Sequence, residues 1–560
     1  MNNYAVARVF SRIADLMEIK GENAFKIRAY RNAAQTMQEL TESLEVLAER
    51  GELRSIPGVG DAIADKTRDI LTTGTTKLYE RLKEEVPESL IELLGLPGFG
   101  PKKIQSVWRE LGVRNLDELE QAGRQERLRG VGGIGAKSEQ KLLEAIEAFR
   151  RRSRRCALWT VLPYADGLCR LLRETGLFQR MEIAGSARRM QDTVGDLDLV
   201  VSAADPEAAL EAASRHAEVR EVLAREAGLL RFTSQQKVVV ELRATTPERF
   251  GWLYWRATGS EAHVAQVEAL RESRGVSQEL AEEEELFQAL GLPFIVPELR
   301  EGRGEVEAAA AGKLPRLLEQ ADIRGVLHAH SVWSDGLTSI EKMAHAAREL
   351  GYAYHGNTDH SRALAMARGL DEERLRAQMA EIDALNAELA GEFRVLKGIE
   401  CDILADGTLD LPLEALEQLD LVVASVHLHQ KQDEETMTAR IVRALESGVV
   451  DILAHPTGRL LGHRDPYPVD MDRVLDAAVA NRVAVEINAS YDRLDLNDVY
   501  ARQAKERGLP ISVNTDAHRP ENLSQYRYGI AQARRAWLEP EDVINTWELE
   551  RLLAWLQRRE

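Results

Sequence analysis

GVLHAH at 325–330 and PISVNTDAH at 510–518 bracket the part of the chain that decides its fold. Between them lie LKGIE (396–400), DLVVASVH (420–427) and VDILAH (450–455), each an apolar run that ends in an imidazole or a carboxylate. Such runs read as short buried strands. Strands that carry His, Asp and Glu at their C-terminal ends bring them to one point when they are parallel and close into a barrel, because barrel sites are built at that face. Ten of the twelve histidines fall between His328 and His518. The candidate ligands are His328, His330, Asp335, His360 of the tripeptide Thr358-Asp359-His360, Glu400, His427, His455, Asp516 and His518. His345, His355, His429 and His463 lack a matching partner and are given no ligand role.

Nine ligands exceed what one cation takes, since zinc is satisfied by four and magnesium or manganese by about six including water. A site of two to three divalent metals follows, bridged by Glu400. Mixed imidazole and carboxylate ligation suits zinc, manganese or iron and disfavours magnesium. A multinuclear site of this kind generates a hydroxide nucleophile and clamps both oxygens of an in-line phosphoryl displacement, so the expected chemistry is phosphoester hydrolysis.

The pattern resembles the PHP (polymerase and histidinol phosphatase) domain over residues 322–560. The resemblance implies a distorted (β/α)7 barrel with a trinuclear site, and it implies the same nine residues as ligands.

Composition frames the rest. A chain of 560 residues with 44% hydrophobic content divides into several domains, each able to bury a core. No 18-residue apolar run and no signal peptide is seen, since MNNYAVARVFSRIADLM reads as an amphipathic helix. A soluble, intracellular protein without membrane association is expected. Cys156, Cys169 and Cys401 form no CxxC and no disulfide framework, which fits a reducing compartment. The net charge of −19 argues against wholesale coating of nucleic acid. Residues 1–150, with 23 basic and 24 acidic side chains, are near neutral, so the acidic excess lies further on.

That near-neutral segment repeats a short motif: IPGVG at 56–60, LPGFG at 96–100 and VGGIG at 132–135 with its preceding valine. An apolar residue between two glycines, after one helix and before the next, describes a helix-hairpin-helix. Gly58, Gly60, Gly98, Gly100, Gly133 and Gly135 let the hairpin backbone approach a DNA phosphate, and the following helix offers free N–H groups. Contacts of this type are independent of sequence.

Between the two regions lies GSARRMQDTVGDLDLVVS (185–202). Asp196 and Asp198 alternate along a strand, so their carboxylates share a face, and a divalent cation offsets the repulsion. Gly185, Ser186, Arg188 and Arg189 offer the donors that a triphosphate needs. This stretch resembles the nucleotidyltransferase signature, and specifically the palm of the family-X DNA polymerases. The likeness makes Ser186 and Arg189 triphosphate ligands, and Asp196 and Asp198 ligands of two magnesium or manganese ions, with Gly259 also at the nucleotide site.

The likeness extends over the whole chain, which is similar to bacterial family-X DNA polymerases carrying a C-terminal PHP domain. It implies a multidomain fold: an α-helical helix-hairpin-helix N-terminal region, an α/β nucleotidyltransferase palm and thumb, and the (β/α)7 PHP barrel. The expected boundaries are 1–82 for a lyase-like helical domain, 83–153 for the fingers, 154–244 for the palm, 245–296 for the thumb, 297–321 for a linker and 322–560 for the PHP domain. Lys66 stands where some relatives place a Schiff-base lysine. Several positions depart from the family. The third metal carboxylate falls at Glu241, one methylene longer than the usual Asp. Arg256-Ala257 replaces Tyr-Phe, Val264 stands for Asn and Glu268 for Arg. The implied function is DNA repair by gap filling, weak and manganese-dependent, coupled to a 3′–5′ exonuclease or 3′-end-processing phosphodiesterase. The alternatives are a polymerase half decayed to a DNA-binding scaffold, and a non-catalytic DNA end-binding module. The expected partners are deoxynucleoside triphosphates and gapped or nicked double-stranded DNA with 3′ ends. A monomer is expected, in the bacterial cytoplasm and at the nucleoid when bound to DNA.

Overall fold

The apolar runs and the glycine motifs set two different kinds of structure, one closed by strands and one built of helices. The structure is a computed structural model and describes residues 3–39, 44–56, 58–153, 155–389 and 391–557. The chain divides into two compact units, Met1–Arg154 and Arg155–Glu560.

The first unit is helical. Gly58, Gly98 and Gly133 have φ of +79°, +72° and +84°, a left-handed conformation that glycine alone takes freely. Val59, Phe99 and Ile134, between the glycines of each pair, are buried and pin the hairpin to the core. Gly60 and Gly100 cap the helices Asp61–Thr73 and Pro101–Leu111 with extended backbone and no side-chain hydrogen bond. The helix Ala136–Ser153 follows Gly135. A Cβ placed on any of these six glycines meets no heavy atom within 4 Å, so the hairpin backbones stand open. Pro57 of the first hairpin lies outside the described residues.

The second unit holds two sheets and a small ribbon. Strands β1 (Cys156–Ala157) and β3 (Thr193–Val194) form the ribbon. A five-stranded sheet contains β2 (Arg180–Ile183), β4 (Leu197–Ser202), β5 (Val219–Glu226), β6 (Leu229–Ser234) and β7 (Val239–Thr245), in the order β2-β4-β7-β6-β5. The helix Leu158–Glu174 buries Leu162, Leu168 and Leu172 in the core that Leu197, Leu199 and Leu242 share. Because side chains alternate, Asp198 is presented on the opposite face, and β4 pairs in parallel with β7 so that Asp198 stands opposite Glu241.

The remaining strands are β8 (Gly325–Val326), β9 (Tyr354–Asn357), β10 (Arg394–Asp402), β11 (Leu421–Ser425), β12 (Ile452–Leu453), β13 (Ala484–Asn488) and β14 (Ile511–Asn514). They are parallel and neighbour one another in chain order. Beyond the ends of β8 and β14, Ala329 bridges Ala517 in parallel. The His330 N–H donates to Ala517 O at 2.8 Å and the Ala517 N–H to His328 O at 3.4 Å. This seam nearly closes a seven-stranded parallel barrel, as the PHP resemblance implies. Leu327, Leu396, Val423 and Ile452 fill it, and helices cover the outside, which accounts for the near-continuous apolar runs.

Asn514 ties the seam from within. Its Oδ1 accepts from the Leu327 N–H at 3.0 Å and from Asn545 Nδ2 at 2.9 Å, and its Nδ2 donates to Glu486 Oε1 at 3.1 Å. Asn514→Ala strips these buried groups of a partner, at about 1–3 kcal/mol per unsatisfied group. A net loss of about 3 kcal/mol lowers the melting temperature by about 3–4 °C for a unit of this size. Calorimetry of the variant checks this, and an unchanged melting temperature contradicts it.

Candidate active sites

Closing the barrel brings all nine expected ligands together. Glu400, at the end of β10, is the centre. Its Oε2 lies 2.8 Å from His360 Nδ1, 3.4 Å from His328 Nε2 and 3.6 Å from His330 Nε2. Its Oε1 lies 3.0 Å from His455 Nε2 and 3.4 Å from His427 Nε2. Asp335 and His518 complete one corner, with His518 Nε2 and His360 Nε2 each 3.5 Å from Asp335, and Asp516 lies 3.0 Å from His330. Three overlapping groups could each hold a cation: His330, Asp335, His360 and His518; His328, His330 and Glu400; and His360, Glu400 and His427. His328 Nε2, His330 Nδ1 and Glu400 Oε2 are buried without a hydrogen-bond partner among the described residues. Converging lone pairs of this kind fit divalent cations, because a buried polar atom left unpaired is costly.

A second layer of carboxylates orients the imidazoles. His328 Nδ1 donates to Glu486 at 2.8 Å and His427 Nδ1 to Asp402 at 3.1 Å, which fixes each tautomer with Nε2 facing Glu400. Asp359 accepts from the backbone and hydroxyl of Ser331 and from Gln378, and so holds the loop after His330. His455 and Asp516 have φ of +29° and +51°, strained values for non-glycine residues that cost about 1–3 kcal/mol each. None of Glu486, Asp402 or Asp359 was expected as part of the site. A lone Glu inside AVEIN was the available signal.

The electrostatics follow from burial and mutual contact. Burial opposes charge on His328 and His360, yet Glu486, Asp516 and Glu400 around the first, and Glu400 and Asp335 around the second, raise both well above the ordinary imidazole value. Burial opposes charge on Glu400 and Asp516 too, and the facing histidines hold both well below the carboxylate range. His455 is pushed down to about 4 by burial and by Arg493.

The palm face carries a second site. A cavity of about 550 Å³ is lined by Gly185, Ser186, Arg189, Asp196, Asp198, Glu241 and Gly259. Gly185 has φ of +59°, and a Cβ there would stand 1.9 Å from Asp198 Oδ2, so only glycine allows this approach. Burial and the nearby Asp196 raise Asp198 to about 7. Arg188, expected on the triphosphate, turns away from the cavity: it pairs with buried Glu283 at 2.8 Å and donates to Thr258 Oγ1 at 2.9 Å. Arg189 lines the cavity while pairing with Glu301 at 2.9 Å. Two residues that the sequence reading missed, Arg231 and Arg243, pair with Glu241, Arg231 at 3.3 Å. They also approach Asp196 and Asp198 at 4.0 and 3.9 Å. Arg256, Ala257 and Val264 line the same cavity, and Glu268 sits 4.0 Å from Arg256. In the helical unit, Lys66 lies on the helix Asp61–Thr73 and donates to Ala62 O at 2.9 Å.

A barrel with a multi-cation ligand set at its mouth, joined in one chain to a carboxylate-bearing nucleotidyltransferase-like sheet, defines a metal-dependent phosphoryl-transfer protein with two sites. The family described as the PHP domain matches residues 327–490, a helix-hairpin-helix domain matches 1–76, and a SAM-like helix-hairpin-helix tandem matches 90–148. The DNA polymerase/3′-5′ exonuclease PolX of Bacillus subtilis (strain 168) is 36% identical over 578 residues, covering 100% of both chains. A probable phosphatase of Thermoanaerobacter sp. (strain X514) is 29% identical over 230 residues, 39% of this chain and 89% of its own. The chain belongs to the bacterial family-X DNA polymerases that carry a C-terminal PHP domain. Among the described residues no helix is long and apolar enough to cross a membrane.

The shifted histidines set a pH dependence. A histidine raised in the folded state stabilises below its ordinary value of about 6.5, and that contribution is lost as pH rises through the higher folded value. Glu400 and Asp516, held low, stay ionised throughout this window. Cations take the place of the histidine protons, so the gap in melting temperature between metal-loaded and chelated protein should widen as pH rises above about 6.5. Thermal scans with and without chelator check this, and a constant gap contradicts it.

Proposed function

We propose that the chain is a DNA repair enzyme with two active sites: a gap-filling polymerase in the palm, and a 3′–5′ exonuclease or 3′-end-processing phosphodiesterase in the barrel. The observation that carries the nuclease is Glu400 with five imidazoles at its two oxygens. Zinc, manganese or iron suits that donor set, and when bound it supplies a hydroxide nucleophile and neutralises phosphodiester oxygens. Glu486 and Asp402 keep His328 and His427 in the tautomer that ligation needs. Asp335 and Glu400 remain anionic across the neutral range, so protonation does not compete for them.

In the palm, Asp196 and Asp198 are the proposed ligands of magnesium or manganese, with Ser186 and Arg189 on the triphosphate of a deoxynucleotide. The domain boundaries of the sequence reading, a monomeric state and a place in the bacterial cytoplasm belong to the same proposal. The open hairpin glycines support sequence-independent contact with gapped or nicked DNA. Lys66, turned back onto Ala62 O, fits a phosphate contact better than a Schiff-base nucleophile. The pairing of Arg231 and Arg243 with Glu241 favours a second reading, in which the palm holds DNA for the nuclease without extending it. The complete ligand set of the barrel opposes a non-catalytic end-binding module.

Two substitutions separate the sites. Glu400→Ala should lower DNA degradation by more than ~100-fold and spare extension, since even partners behind metal ligands matter by 10–100-fold. Asp198→Ala should remove extension and spare degradation, and wild-type extension should be weak and stronger with manganese than with magnesium. Gapped DNA supplied with each metal, with both product directions followed, checks this. Degradation retained in Glu400→Ala contradicts the nuclease, and no extension with either metal selects the second reading.

Gly98→Val forces a branched side chain into a left-handed position and places it between backbone and phosphate. DNA affinity should fall several-fold irrespective of sequence in a variant that keeps its helical content. Unchanged affinity at moderate salt contradicts the hairpin contact.

A further inference from the structure

Beside the metal ligands runs a cleft of about 770 Å³ that the proposed chemistry does not use. At one end it reaches Asp516 and His518, and its walls are barrel residues joined from the palm side by Trp159. Trp159, second residue of the helix Leu158–Glu174 under the palm sheet, meets Tyr491 of the barrel with ring centroids 4.7 Å apart. Tyr491 is 45% exposed, and Leu337 across the cleft is 62% exposed. Trp159 Nε1 is buried and has no hydrogen-bond partner among the described residues. The joint that brings the rings together is tied independently: Arg459 pairs with Asp192 at 2.8 Å, and Gln532 donates to Met190 O at 3.3 Å.

The charges in the cleft are mostly basic. Arg493 lies 3.9 Å from Asp516, and Arg519 and Arg527 line the same wall. Asp492 opposes them, with its carboxylate accepting from Ser490 at 2.7 Å. An aromatic pair suits a planar base, guanidinium groups suit a sugar-phosphate chain, and the end of the cleft is where a scissile diester meets the ligands.

We infer that the Trp159–Tyr491 pair is the platform for the terminal bases of a single-stranded 3′ end that enters the barrel site. The inference rests on the nuclease reading and assigns it two substrate-positioning residues, Trp159 from the palm side and Tyr491 from the barrel.

The test uses the full chain with manganese and three substrates: an oligodeoxythymidylate, the same strand ending in a tetrahydrofuran abasic residue, and bis(p-nitrophenyl) phosphate. Wild-type protein should prefer the strand with a terminal base. In Trp159→Ala and Tyr491→Ala, KM for that strand should rise on the order of 10-fold with little change in kcat. Its kcat/KM relative to the small diester should fall by a similar factor, the preference over the abasic end should vanish, and Tyr491→Phe should restore both. An unchanged KM and preference in Trp159→Ala overturns the platform. A parallel loss on all three substrates also overturns it, because the pair is then only structural. Wild-type protein that cleaves the small diester and neither strand refutes the nuclease reading itself, and the platform with it.

Discussion

Seven parallel strands laid side by side leave two open edges, and the backbone bonds that link Ala517 to His328 and His330, on either side of Ala329, join them. Everything in the barrel site depends on that junction. His328 and His330 flank one partner of the bridge and Asp516 and His518 flank the other, so the step that closes the barrel also sets four ligands face to face. Glu400 then receives imidazoles from both sides of the seam. The result is a buried cluster of like and unlike charges that no set of internal hydrogen bonds satisfies, and divalent cations resolve it. Left-handed backbone at His455 and Asp516 shows where the chain bends to reach the cluster.

The palm is governed by a similar constraint with a different outcome. Gly185 lets the backbone sit against Asp198, and burial with the charge of Asp196 raises that carboxyl to about 7. Cations offset this strain in a nucleotidyltransferase, but here two arginines already approach the three carboxylates. The longer Glu241 side chain reaches them readily. A cation at this sheet would have to displace those guanidinium groups from Glu241, which bears on how well the proposed site positions a nucleotide.

The cluster of nine candidate ligands was legible in the sequence because most of them end an apolar run, and the hairpins because glycine at a left-handed position has no substitute. The strand count of the barrel came from the family likeness, since β8 and β12 are two residues long and leave no periodic signal of their own. Glu486 and Asp402 were not legible: a charge inside an apolar strand reads as an exception until its histidine partner is seen. Arg188 shows the converse, as its motif position suggested a triphosphate while Glu283, far along the chain, claims it. The pairing of Trp159 with Tyr491 across the palm and barrel had no local signature at all.

The central claim is that barrel closure builds one multinuclear centre around Glu400. Its most direct test is the metal content per chain, measured by plasma mass spectrometry on wild-type protein and on Glu400→Gln after reconstitution and desalting. The account predicts more than one divalent ion per wild-type chain and a clear loss in the variant, with the fold retained. One ion or none in the wild type, or equal content in both proteins, contradicts it.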